Sequence, residues 1–325
     1  MSARAIGIAA ALLLLATLPL WVAGTYYVNV ASQILLYGVF ALGLNVLVGY
    51  AGLVSLGHAG LLGIASYAAA ILLAAGCGHF VAILGALVAT VLGAAIFAVL
   101  SLRATGIGFI MITLALGQIV WGLAYRWLSL TNGDNGINVA TRPAPFGISL
   151  ASATAFYYAT LVMFLLVLLA VAIFVRSPFG ASLKGTRDQP RRMSALGFHV
   201  WLIRFYACLF SGFISAIAGL LFLYYNEFIS PHAISLTASA EALLMVISGG
   251  TGTLLGPIAG AALVVIMKNV ASAYIERWNF MLGAIFVAIV IFMPEGFVPG
   301  TVRMVRWSVR SLRARPAVLP AGGGQ

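Results

Sequence analysis

LNVLVGYAGLVSLGHAGLLGIASYAAAIL, residues 44–72, contains no Asp, Glu, Lys or Arg. A helix crosses the hydrocarbon of a bilayer with about 20 apolar residues, so a run of this kind belongs in lipid. Gly49-Tyr50-Ala51-Gly52 interrupts it, and Gly57 lies just beyond. Glycines break a helix, and a broken helix inside a membrane must be covered by protein or face a wet cavity. The stretch therefore reads as the end of one membrane helix, a break, and the start of the next.

The rest of the chain has the same character. Its 325 residues are 63% hydrophobic and 7% charged, with a mean hydropathy of +1.13. That composition lies far outside the range of soluble domains. Apolar runs fall at 5–23, 31–50, 56–76, 80–101, 107–126, 154–175, 202–224, 236–249, 254–271 and 279–294. The fold class is an all-α polytopic membrane protein of about ten segments, some short or broken. The stretch from Arg4 through the apolar run to Ala23 reads as an uncleaved first helix rather than a signal peptide. A second break is expected at Gly249-Gly250-Thr251-Gly252, followed by Gly256-Pro257. The segment 236–249 is short for a crossing, and reads as a tilted helix or one arm of a re-entrant hairpin.

A net charge of +11 would suggest nucleic acid in a soluble protein. Here the basic residues lie between and after apolar runs and read as topology signals, so no nucleic-acid partner is expected. With both termini in the cytoplasm, 13 of the 17 basic residues fall inside, and only Arg126, Arg142, Lys268 and Arg277 fall outside. A single pass over 236–271 would put the five-arginine tail outside, so the bias favours two segments there. Cys77 and Cys208 lie in different segments, and no disulfide is expected. Small residues four apart (Gly85, Ala89, Gly93; Ser211, Ser215, Gly219; Gly256, Gly260) predict faces of close helix packing.

The long charged loop is RSPFGASLKGTRDQPRRMSALGFHV, 176–200. Asp188 or Gln189 can cap a short helix with Pro190 in its first turn, and Gly197 is a natural stop. Met193 and Leu196 then share a face while Arg191 and Arg192 lie off it. Such a helix suits docking into a groove on a soluble partner, or is an ordinary basic loop resting on anionic lipid.

Inside the spans, Glu241 lies beside a water-filled path or anchors helix packing, and Lys268 is placed to snorkel. Asn45, Thr113 and Gln118 are mid-span hydrogen-bonding groups, with Gln118 the weak choice for lining a path; packing alone explains such groups equally well. His58, beside Ser55, has no second ligand at metal spacing and reads as a structural hydrogen bond. No metal site, cofactor or catalytic set is expected, and no G-x-x-x-x-G-K-[ST] is present.

Four stretches resemble the branched-chain amino acid permease family of ABC importers. They are 44–72; LRATGIGFIMITLALGQIV (102–120) with TNGDNGI (131–137); EALLMVISGGTGTLLGPIAGA (241–261); and the loop ending in Ala195-Leu196-Gly197. Of these, 102–120 with 131–137 resembles the LivM type rather than its LivH partner. Pro190 departs from the family pattern, which more often has a charged or polar residue there. The resemblance implies an ABC importer permease fold over 1–300, with a basic cytoplasmic tail at 301–325, in the bacterial inner membrane. It implies a LivH-type second permease, two ATP-binding subunits that hydrolyse ATP on this chain's behalf, and a periplasmic binding protein. It also makes Arg187, Asp188, Met193, Ala195, Leu196 and Gly197 the coupling residues toward the ATPases. Sibling substrates (urea, short amides, aromatic acids) stay open, as does a stand-alone secondary transporter or channel. Ion-coupled carriers usually need intramembrane carboxylates, and Glu241 alone qualifies.

Overall fold

The computed structural model describes residues 24–139, 142–143 and 150–274, with isolated positions 15, 17–19, 280, 283, 284, 287 and 291. The expected segments 5–23 and 279–294, Arg277 and the tail 301–325 lie wholly or almost wholly outside the described residues. Each of the other eight expected segments is a single helix. They are α1 (Thr25–Asn45), α2 (His58–Ala74), α3 (His79–Ser101), α4 (Ile107–Arg126), α5 (Ala153–Arg176), α8 (Val200–Asn226), α9 (Leu236–Gly249) and α10 (Gly256–Tyr274). Five of these helices, α1 with its continuation to Ala51 and α3, α4, α5 and α8, are long and apolar enough to cross a membrane.

The loop 176–200 departs from expectation, because it holds two helices. Besides α7 (Pro190–Ala195) there is α6 (Pro178–Asp188). The cause is local: the Ser177 hydroxyl accepts from the Gly180 N–H while Pro178 sits at N1, where its missing N–H costs nothing. Phe179, Leu183 and Thr186 then fall on one face, and Leu183 and Thr186 are buried.

The helices form one bundle with two ends. At one end lie the end of α3, α6, α7 and both glycine breaks, while α2 starts part-way in, with His58 at the level of Ser211 of α8. At the other lie the turn 75–78 and a two-stranded ribbon. In it β1 (Ile137–Asn138) pairs antiparallel with β2 (Phe228–Ile229). The TNGDNGI motif is the tight turn that delivers β1. Its Thr131 hydroxyl donates to the Ala124 carbonyl at 2.7 Å. Arg142 ties this end together through an ion pair to Glu227 at 2.7 Å and donation to the Tyr224 and Tyr225 carbonyls.

Depth of burial separates centre from edge. In their apolar windows α1 is 83% buried and α8 67%, whereas α3, α4 and α5 are 28%, 22% and 33% buried. α1 and α8 form the core, and the other three turn apolar side chains outward. Lipid gives no hydrophobic drive between helices, so backbone proximity and interhelical hydrogen bonds hold the centre. The small-residue faces supply both. The Ser211 hydroxyl donates to the Gly43 carbonyl at 2.6 Å, and the Ser66 hydroxyl to the Gly219 carbonyl at 2.8 Å. Gly85 and Gly93 of α3 leave room for Leu72 and Ile64 of α2.

The segment 228–249 travels from the ribbon end to the broken end, and only its second part is helical. After β2, a 3₁₀ turn (Pro231–Ile234) packs against α2 and α4, and Ile234 lies against Gly63. The α9 helix then starts part-way along the bundle, where the Ser239 hydroxyl accepts from the Ala59 N–H at 3.2 Å. Non-helical backbone at this depth is tolerated because protein covers it. α10 returns antiparallel to α9, which makes 236–271 two segments and not one.

Candidate functional site

Both expected breaks exist, and they meet. α1 runs into a π-helical stretch, Val46–Ala51, which ends at Gly52 with φ +69°, a backbone state that favours glycine. The second break, between α9 and α10, passes through Gly250 and Gly252 at positive φ. Asn45 joins the two: its Nδ2 donates to the Thr253 carbonyl at 2.8 Å, and its Oδ1 accepts from the Gly252 N–H at 3.0 Å. A Cβ on Gly49 would collide with the Gly252 backbone, so the breaks touch main chain to main chain. Thr253 closes the second break, accepting from the Gly256 N–H at 3.0 Å and donating to the Gly250 carbonyl at 2.9 Å. Asn45 is fully buried, and its amide is satisfied by the second break on both sides.

Arg187, at the end of α6, reaches the same place. Its Nη1 donates to the Gly49 carbonyl at 2.6 Å, a group freed by the irregular turn, while its Nε pairs with Asp188 at 2.8 Å. Its stem lies where a Cβ on Gly52 would go. Arg187 thus links α6 to the break in α1.

The short helix α7 has the expected ends. Pro190 occupies its first turn after Gln189, and Gly197 (φ +87°) follows it. The Phe198 N–H reaches the Met193 carbonyl and the Gly197 N–H the Ser194 carbonyl, so the last carbonyls are satisfied by a Schellman motif. The Met193–Leu196 face is divided, however. Met193 lies against Gly185 and holds α7 on α6, while Leu196 is 66% exposed beside the exposed Phe198 and Trp201. Ala195 closes the helix and is exposed too. The apolar surface left open is therefore Leu196 with Phe198, not Leu196 with Met193.

Midway along the bundle, polar side chains from three helices converge. Lys268 Nζ of α10 lies 3.2 and 3.4 Å from the two carboxylate oxygens of Glu241 in α9. Asn269 donates to the side-chain amide oxygen Oε1 of Gln33 in α1 at 3.0 Å. The Glu241 side chain is 12% exposed and that of Lys268 35%. Lys268 is therefore paired rather than snorkelling outward, and Glu241 has the neighbouring polar group that a packing role requires. Each charge alone would cost about 2.5–3.5 kcal/mol at a bilayer centre, and pairing removes much of that cost.

The remaining expected residues are placed as follows. The Thr113 hydroxyl donates to the Ile110 carbonyl and accepts from the Leu56 N–H, fixing the turn before α2. Gly57 approaches the Thr113 carbonyl and Gly117 so closely that a side chain on Gly57 is excluded. Gln118 is half-buried on the next position of α4. His58 is buried, with Nε2 3.1 Å from the Ser211 hydroxyl. That hydroxyl gives its own proton to Gly43, so Nε2 is the donor in this pair. His58, Thr113 and Cys208 border a cavity of about 20 Å³, room for one water. Cys77 and Cys208 are both free. No group of three metal-ligating side chains occurs among the described residues.

Sequence reasoning missed α6, the inward reach of Arg187, and the Gln33–Glu241–Lys268–Asn269 cluster. A usable signal existed for the last. Two opposite charges stand in antiparallel segments joined by one short turn, and each is costly in lipid unless paired.

The profile of the family described as "Branched-chain amino acid transport system / permease component" matches residues 26–290. The chain is 29% identical over 300 residues to the high-affinity branched-chain amino acid transport system permease protein LivM of Salmonella typhimurium, covering 84% of this chain and 70% of that protein. It is 28% identical to the protein of the same name from Escherichia coli over the same shares. No solved structure matches. The profile runs from the start of α1 through both breaks, the α6–α7 loop and the α9–α10 hairpin, and on that extent the chain belongs to the branched-chain amino acid transport system permease family.

Proposed function

We propose that this chain is one of two permease subunits of an ATP-driven importer that carries branched-chain amino acids across the inner membrane. The observation that carries the reading is the family match over 26–290, and the LivM relatives supply the substrate. The chain has ten membrane segments and an ABC importer permease fold. A LivH-type sister permease, two ATP-binding subunits and a periplasmic binding protein complete the machine. ATP is hydrolysed on the separate subunits, and the α6–α7 loop meets them through Leu196 and Phe198.

Charge supports the orientation. Arg103, Arg176, Lys184, Arg187, Arg191, Arg192 and Arg204 cluster at the broken end, against Arg126 and Arg142 at the ribbon end. By the positive-inside bias the broken end and both termini are cytoplasmic. In a variant lacking Cys77 and Cys208, an impermeant thiol reagent added to whole cells should label cysteine at Asn138 and spare it at Ser194. The reverse pattern overturns the orientation.

The translocation path runs beside the mid-depth cluster on α1, α9 and α10, with Glu241 on its wall. Assembly with the sister permease, ATPases and binding protein in proteoliposomes should give ATP-dependent leucine, isoleucine and valine uptake. Uptake of urea, a short amide or an aromatic acid instead would select a sibling substrate. Uptake without ATPases would select a stand-alone carrier.

A further inference from the structure

The faces of the bundle differ in what they expose at mid-depth. On α3 the outward side chains are Phe80, Leu84, Leu92 and Ile96, and on α5 Leu166, Leu169 and Ile173, all apolar and suited to lipid. On the α9–α10 face a lysine is one-third exposed and its carboxylate partner only slightly less buried than core. A partly exposed ion pair is costly against lipid and natural against water or protein. Helical rise puts Glu241 about 12 Å from the second break and Lys268 about 18 Å, so the pair stands well inside the span.

We propose that Glu241 and Lys268 are a station on the translocation path that receives the two charged ends of a zwitterionic α-amino acid, the α-carboxylate on Lys268 and the α-ammonium on Glu241. The proposal rests on the permease reading above and adds the residues that handle the substrate's head group. An amino acid entering the station exchanges one internal ion pair for two intermolecular ones. Net charge stays zero, so nothing is left unpaired in the low dielectric of the span. A ligand lacking one charge strands either Glu241 or Lys268, which favours zwitterions over urea or amides. Asn269, next to Lys268 in the chain, donates to the Gln33 side-chain amide oxygen at 3.0 Å, and the two supply a neutral polar margin. The pair also stays closed when no substrate is present, which keeps the station from holding a stray ion.

A structural ion pair and a substrate station respond differently to neutralisation of both members. A purely structural pair is replaced by Gln and Gln with little loss, because both desolvation costs disappear with the attraction. The test is the full importer in proteoliposomes, comparing wild type, Glu241→Gln, Lys268→Gln and the double variant. Three readouts are taken: co-purification of all subunits, ATPase stimulation by the leucine-loaded binding protein, and leucine uptake. The double variant is expected to assemble and to keep stimulated ATPase activity within about twofold, while leucine uptake falls at least tenfold. Wild-type leucine uptake in the double variant overturns the station, as does failure of the double variant to assemble, which would make the pair structural. A wild-type importer that moves no zwitterionic amino acid overturns the permease reading itself, whatever the variants do.

Discussion

The α1–α9–α10 side of the bundle and the α3–α4 side are built by opposite rules. Along α3 and α4, outward positions are large and apolar, and most inward ones are small, such as Ala82, Ala86 and Ala94, with Phe97 and Phe109 the large exceptions. The buried Thr90 hydroxyl of α3 bonds its own helix at the Ala86 carbonyl, 2.7 Å away. Among the described residues the longer-range bonds on this side are few: His79 meets the Tyr224 hydroxyl at the ribbon end, and Thr113 meets the Leu56 N–H. Along α1, α9 and α10 the helices are interrupted, the backbones touch, and polar groups are satisfied by residues more than 200 positions away, as Asn45 is by Gly252 and Thr253. An unbroken helix closes its own hydrogen bonds, so lipid-facing sides tolerate any apolar residue. A broken one must borrow partners, and the places where it does so are where parts can move.

Altering the closest backbone contact gives the largest effect. A Cβ on Gly260 would overlap the Met245 carbonyl, and one on Gly249 the Gly256 carbonyl. Gly260→Leu should prevent α9 from packing on α10 and remove most folded protein from detergent extracts, read by size-exclusion profile. Gly122→Leu on α4, where nothing stands within 4 Å, should leave the profile unchanged. Equal behaviour of the two variants would dissolve the contrast between the sides.

Next comes Asn45→Ala. It strands the Thr253 carbonyl and the Gly252 N–H, each costing about 1–3 kcal/mol when left buried and unpaired. A clear fall in thermal stability is expected, with loss of uptake exceeding loss of assembly, because the two breaks are no longer tied. Unchanged stability would mean that water replaces the amide and that the breaks are independent.

The contrast also explains which features are legible in the sequence. Helix spans follow from apolar run length, a local property, and eight segments coincide with helices; α4 and α9 match their expected limits residue for residue. Gly49–Gly52 and Gly249–Gly256 announce the breaks because glycine acts on its own backbone. Pro190 and Gly197 announce α7 for the same reason. The Ser177-Pro178 start of α6 is equally local, and is hidden only by the polar composition around it. By contrast, the reach of Arg187 to Gly49 spans 138 positions, and the Glu241–Lys268 pair depends on how two helices lie against each other. The Arg187 contact is a property of the packed bundle that no local pattern encodes, whereas the Glu241–Lys268 pair is open to inference from two costly opposite charges in neighbouring antiparallel segments.

A smaller effect separates two residues of the same loop. Leu196→Asp places a carboxylate on the exposed apolar end of α7, where a partner's groove would desolvate it without compensation. Co-purification of the ATPases should fall several-fold with the permease still inserted and paired. Arg187→Gln acts inward on the Gly49 carbonyl instead, so ATPase binding should persist while stimulated uptake declines. Loss of ATPase binding by Arg187→Gln alone would reverse the two roles and make α6, not α7, the contact.

The smallest expected effect bears most directly on where the path runs. Gln118 sits half-buried on α4, next to Gly117, on the side that otherwise meets lipid through Met111, Ile119 and Leu123. Thr113, one turn before it, is committed to the turn at Leu56. If the path follows α1, α9 and α10, Gln118 contributes at most one ordinary interhelical hydrogen bond, worth about 0.6–2 kcal/mol. Gln118→Leu, close in size and apolar, should then leave assembly intact and leucine uptake within about twofold of wild type. Neutralising Glu241 and Lys268 together is expected to cost at least tenfold, so the ratio of the two effects locates the path. A collapse of uptake in Gln118→Leu with normal assembly would move the path to the α4 side. The cluster on α1, α9 and α10 would then be the seam that holds the broken helices together, and the two sides of the bundle would exchange roles.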